Sequence, residues 1–227
     1  MPIKKIHPPK ASLNAVKIGL PRFTRESEPS LADGALALTA PHRCYALRQS
    51  DLLAGRGFEV ANATGWRYLV RVGSSFVGVA ETADGDEAQP ESLAKVDPPT
   101  RADFVASLLR RAELWAQARE VLLELRYLRI PAANAAGIWL HADAEDWIYP
   151  VELGGKRSTA DDSRETHPIA GQEFIADARR LAVKRADDDK VKSVKGDTSI
   201  AVRGWFIGLR EWLVPRSRSE PPGPKGG

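Results

Sequence analysis

Three observations predict an α+β fold, with an antiparallel sheet built from hairpins packed against about three helices. The first is a hairpin pattern. Trp66, Tyr68, Val70 and Val72 alternate with Arg67, Leu69 and Arg71. After Gly73-Ser74-Ser75, the residues Phe76, Val77 and Val79 return toward Glu81. Period-two alternation of aromatic and β-branched residues about a Gly/Ser turn reads as paired strands. The second is a helical stripe between Arg101 and Arg119, where Phe104, Val105, Leu108, Leu109, Ala112, Trp115 and Ala116 recur at helical spacing. The third is the order of elements: two strands, a helix, about three strands, then two helices. Clustered hairpins beside helices indicate an antiparallel sheet, because a doubly wound parallel sheet needs strict strand–helix alternation.

Residues 1–40 read as a poorly ordered N-terminal arm. Pro2, Pro8, Pro9, Pro21 and Pro29 each remove a backbone donor, and neither the helical nor the strand period persists. Leu13, Val16, Ile18 and Leu20 are the contacts such an arm would offer another subunit. A single α+β domain is expected over residues 41–214. Ser50 to Ala54 suits a short helical turn. Ala83 to Pro99 reads as an acidic, proline-bounded connector. Thr100 and Asp103 form a weak capping box at the start of the main helix. Leu123, Leu125 and Tyr127 alternate into a strand that Pro131 ends. Ala135 to His141 and Asp146 to Leu153 make a second hairpin, and Pro150 inside it argues for an edge strand. Gly154 to Pro168 is a further connector. Helices are expected over about Ala170 to Arg185 and Ser199 to Leu213, separated by a mixed-charge run. Residues 215–227, PRSRSEPPGPKGG, have the composition of a disordered tail.

The chain has 227 residues, and 43% of them are hydrophobic. That composition suits a globular chain. Its longest apolar runs fall short of the roughly 20 residues that cross a bilayer. One cysteine excludes an intramolecular disulfide framework and any multi-cysteine metal site. The net charge of +3 is too small to indicate nucleic acid by itself. Charge instead alternates in blocks: residues 1–80 carry 11 basic and 5 acidic residues, and residues 81–100 carry 1 basic and 6 acidic. Such blocks favour contacts between segments or with a protein over a phosphate-tracking stripe. MPIKKIHPPK lacks the apolar core of a secretory signal, so a cytoplasmic location is expected.

The chemical templates fail in turn. The phosphate-loop and dinucleotide glycine patterns are absent, and no Gly-x-Ser-x-Gly elbow occurs. Cys44, beside His42 and Arg43, is a candidate nucleophile, with His141 as its distant base. The competing reading is a small buried hydrophobe. His141, Asp143, Glu145 and Asp146 are close enough in sequence to hold a hard cation, although a polar turn accounts for the same letters. Arg126 and Arg129 suit an anionic group on an uncovered sheet face, or else pair with Glu124 and the acidic loop. Trp205 and Trp212, with Arg203 and Arg210, suit a partner-binding helix, against the alternative of a core helix.

Leu122 to Leu153, LLELRYLRIPAANAAGIWLHADAEDWIYPVEL, resembles a segment of uncharacterised bacterial proteins. In those, a strand ending in LRIPA precedes an apolar strand and then a strand reaching a proline. GWRYLV at Gly65 to Val70 adds to the resemblance. It implies a bacterial source and one α+β domain, and it implies no activity. The expected function is therefore a non-enzymatic protein-interaction or assembly module of a bacterial cytosolic system. Arg203, Trp205, Arg210 and Trp212 are its expected contact residues. The alternatives are a small Cys/His or metal-assisted hydrolase, or a weak nucleic-acid binder through the basic N-terminal half. No cofactor is expected, and a protein partner or self-association is favoured over nucleic acid.

Overall fold

The computed structural model describes residues 3–4, 6–27, 36–85, 91–119, 122–158 and 167–194. The chain divides into two compact units, Met1–Ala186 and Asp187–Gly227. The described part of the second is the end of the last helix. The strands are β1 (Ile3–Lys4), β2 (Leu36–Ala46), β3 (Asn62–Val72), β4 (Ser75–Ala83), β5 (Ser92–Asp97), β6 (Leu123–Ile130), β7 (Ala135–His141), β8 (Asp146–Leu153), β9 (Lys156–Arg157) and β10 (Ile169–Ala170). The helices are α1 (Lys10–Ser27), α2 (Gln49–Leu53), α3 (Pro99–Arg119) and α4 (Gly171–Val194).

The described strands form one sheet in the order β10-β8-β7-β6-β2-β3-β4-β5, with β1 beside β6 and β9 beside β8. The α+β class holds, but the sheet is mixed and not purely antiparallel. β2 to β5 form one antiparallel meander and β6 to β8 another. They join where β2 and β6 run parallel, from Arg43 opposite Arg126 to Ala46 opposite Arg129. The cause is the crossover. After β5 the chain passes through α3 and enters beside β2, and a parallel neighbour needs a connection of that length.

The two faces of the sheet have separate cores. On one, Ala102, Val105, Leu108, Leu109, Ala112 and Ala116 of α3 meet Leu69, Val79, Leu125, Ile138, Leu140 and Val151. On the other, Val16 and Leu20 of α1 meet Trp66, Tyr68, Val70 and Ala80. Also on that face, Phe174, Ile175, Ala178 and Ala182 of α4 meet Leu128, Ile130, Trp139 and Ile148. Alternation along each strand makes this division possible.

Where composition reads residues 1–40 as a poorly ordered arm, the described residues of that stretch carry β1, α1 and the first residues of β2. Ser12, Val16 and Leu20 form the buried stripe of α1, while Ile18 is exposed. The stripe is hidden in the sequence because Ser12 is polar and Pro21 sits inside the helix. Ser12 Oγ is satisfied across the interface, 2.6 Å from Tyr68 Oη and 2.9 Å from Thr82 Oγ1. The expected connector from Ala83 to Pro99 also departs from its reading. Ser92–Asp97 adds to β4 as an edge strand, with Leu93 against Gly19 of α1. An edge strand with one covered face needs few apolar residues, so its alternation is weak. β8 is not the edge strand that Pro150 suggests, since β10 and β9 pair with its two ends, but their pairs stop on either side of Pro150. The expected helix from Ser199 to Leu213 and the tail at 215–227 lie outside the described residues.

Two glycines test the packing. A Cβ on Gly65 would lie 1.8 Å from the Thr82 carbonyl oxygen, so β3 and β4 would have to separate. Gly73 has φ +58° at the first position of the two-residue turn between Val72 and Ser75, with nothing near its Cβ position. Gly65→Ala is expected to cost more than about 3 kcal/mol in urea unfolding. Gly73→Ala carries only the left-handed penalty of roughly 1–2 kcal/mol. Equal losses would contradict this reading of the β3–β4 contact.

Candidate functional site

A polar rung crosses the α3-facing side of the sheet. His42 on β2 lies opposite Arg67 on β3, Arg67 lies opposite Glu81 on β4, and Glu81 lies opposite Lys95 on β5. Residues directly opposite in an antiparallel pair project from the same face. Strand β6 completes the cluster. Arg129 Nη2 donates to Glu81 Oε2 at 2.5 Å, and the Arg67 guanidinium lies 4.0 Å from the centre of the Tyr127 ring. β2 and β3 stand between β6 and β4, so the Arg129 and Glu81 backbones would be at least about 14 Å apart in a flat sheet. The contact closes because the sheet curls into a half-barrel with this face on its inside.

Arg67 is 1% exposed, so its charge must be met by the protein. Its Nη2 donates to Asp97 Oδ2 at 2.9 Å, and its Nε lies 3.9 Å from Glu81 Oε2. Lys95 Nζ holds the other Asp97 oxygen at 2.6 Å. Burial opposes the Arg67 charge, and Tyr127, Glu81 and Asp97 outweigh it, so the guanidinium stays protonated. For Asp97, burial pulls upward, but Arg67 and Lys95 leave the carboxyl below its ordinary value. His42 is fully buried, and its Nδ1 lies 2.8 Å from the Ala40 carbonyl oxygen. Burial, reinforced by Arg67, holds the ring down to about 3, so it is neutral at physiological pH. Ala40 has φ +49° where the β2–β3 register shifts between Thr39 and His42. A non-glycine residue there is strained, and a bulge of this kind re-aims the side chains that follow.

The structure does not gather the sequence-predicted catalytic pair. Cys44 faces α3, beside Tyr127. His141 faces the opposite side with Trp139, whose ring centre is 5.4 Å away. The sheet therefore separates the thiol from the imidazole. Burial, together with Glu81, also raises the Cys44 pKa far from the thiolate range. The candidate cation ligands are likewise not assembled. His141 Nδ1 and Trp139 Nε1 both meet Asp146 Oδ1, at 2.8 and 2.6 Å, and Glu145 accepts from Trp147 Nε1. Among the described residues, no group of three metal-ligating side chains occurs.

Arg126 and Arg129 are three apart on one strand and so point to opposite faces. Arg126 donates to Glu124 at 2.7 Å and lies over Tyr45 and Trp139. Arg129 enters the buried rung. Arg126 therefore takes the paired alternative, Arg129 pairs instead with Glu81 on β4, and neither pairs with a described residue of the expected acidic loop. Arg203, Trp205, Arg210 and Trp212 lie outside the described residues. Sequence reasoning missed the rung because His42, Arg67, Glu81 and Asp97 are scattered over three strands and an expected loop. The available signal was charge at inward positions, Arg67 beside Leu69 and Glu81 beyond Val79. No family model, curated protein or solved structure matches the chain.

Two measurements test the rung. Glu81 is the shared counter-ion of Arg67 and Arg129, so Glu81→Leu leaves buried charge unmatched. It is expected to cost about 3–5 kcal/mol in denaturant unfolding. His42 adds a pH dependence. The unfolded ring takes up a proton near 6.5 and the folded ring only near 3, so its contribution is complete above pH 6.5. It is lost as pH falls through that window, at roughly 1.4 kcal/mol per unit. His42→Asn keeps a donor for Ala40 and should flatten this limb of the stability–pH curve. An unchanged slope would refute a neutral, buried His42.

Proposed function

We propose that the chain is a non-enzymatic protein-interaction module that binds a protein partner or a second copy through the C-terminal end of α3. The observation that carries this reading is an aromatic–arginine cluster. The Trp115 and Trp147 rings lie 5.2 Å apart, and the exposed Arg119 guanidinium sits 4.3 and 5.1 Å from their centres. Both tryptophans are only partly buried. Leu122, three residues beyond Arg119, is 63% exposed, and Leu114 is 59% exposed. Tryptophan and arginine are the side chains most enriched among residues that dominate binding energy. The alternating charge blocks of the sequence support the same reading. A cytoplasmic, bacterial setting belongs to the proposal on sequence grounds. No helix among the described residues is long and apolar enough to cross a membrane.

The test uses the full chain. Sedimentation velocity over the micromolar range reads self-association, and a photo-crosslinker at Leu122 in cells reads contact with another protein. Dimerisation or a discrete adduct is expected. The Arg119→Glu/Leu122→Asp double variant should weaken either by at least tenfold, about 1.4 kcal/mol. Each residue is on the surface, so folding stability should stay within about 0.5 kcal/mol per substitution. A strictly monomeric protein with no adduct, or a variant that binds as well as the parent, defeats the reading.

A further inference from the structure

We propose that the concave face of the sheet holds an internal site for a small neutral molecule bearing a hydroxyl group, bound between His42 Nε2 and the Nε–H and Nη1–H groups of Arg67. The two residues face each other in register across β2 and β3, and each is at most 1% exposed. The Ala40 carbonyl can only accept, so His42 Nδ1 carries the ring proton that bonds to it at 2.8 Å. Nε2 is then an acceptor lone pair. His42 Nε2, Arg67 Nε and Arg67 Nη1 are all buried without a protein hydrogen-bond partner. Each such group costs on the order of 1–3 kcal/mol if left unmet.

The pattern of unmet groups selects the ligand. One lone pair needs a donor, and the guanidinium N–H groups need an acceptor. A simple anion cannot donate to Nε2, and the Arg67 charge already faces Asp97 at 2.9 Å and Glu81 at 3.9 Å. A cation would meet Arg67. A hydroxyl donates and accepts at one oxygen and matches both residues. The Ala40 carbonyl holds the ring by Nδ1, so Nε2 is the nitrogen left to meet a ligand. Water is the smallest member of the class and an alcohol or polyol a larger one. The site lies inside the fold, so this inference stands apart from the surface reading above.

The decisive experiment is a crystal structure of the full chain grown without polyols, paired with imidazole nitrogen NMR on the same protein. One oxygen is expected within about 3.2 Å of both His42 Nε2 and an Arg67 N–H. The spectrum should show a neutral ring with Nδ1 protonated. A cross-peak from the Arg67 Nε–H to a slowly exchanging water identifies water. A small alcohol recovered from denatured protein and identified by mass spectrometry identifies the larger ligand. His42→Phe should abolish the cross-peak or the recovered alcohol; if that variant does not fold, the wild-type spectrum and density decide. An Nε2-protonated ring, a direct His42–Arg67 contact with no bridging oxygen, or halide density between them overturns the proposal.

Discussion

The structure depends on keeping one guanidinium out of water. Arg67 is almost fully buried on the inner face of the sheet, where a charge without counter-charges would cost several kcal/mol. Asp97 and Glu81 supply those charges from β5 and β4, Tyr127 supplies a ring from β6, and Arg129 balances Glu81 from β6. Four strands are thereby tied to one group. Flattening the sheet would pull Arg129 from Glu81 and Tyr127 from Arg67. The curl of the sheet and the burial of the arginine are consequently one constraint seen from two sides.

The opposite face meets its polar groups differently. Ser12 brings its hydroxyl to Tyr68 and Thr82 beneath α1, so a helix whose stripe is partly polar still packs. Arg126 is paired to Glu124 and rests on Tyr45 and Trp139, and His141 and Trp139 share Asp146. The polar side chains beneath α1 bond across the sheet as the α3-facing rung does, though without a buried charge. At the end of α3, Trp115, Trp147 and Arg119 stack in part outside the core.

Strong periodicity was readable wherever one face of an element is wholly apolar. The β3–β4 hairpin, α3 and the β7–β8 hairpin all stand where alternation or helical spacing placed them. The signal failed for α1 and β5. Ser12 hid α1, and β5 shows little alternation because it is an edge. The rung was not legible for a related reason: charge at an inward position looks like charge on a surface until its partners are known. Cys44 and His141 illustrate the converse. Their types suggested a nucleophile and base, and the strand alternation that separates them could not be phased without the pairing register.

The sequence by itself determined the α+β class, the main helix and both hairpins, because local spacing and turn chemistry act over a few residues. Only the tertiary structure decided that β2 and β6 run parallel, that the N-terminal residues join the core, and that His42, Arg67, Glu81 and Asp97 converge. Those outcomes rest on long-range register, which sets the face and neighbours of each side chain across segments far apart in the chain.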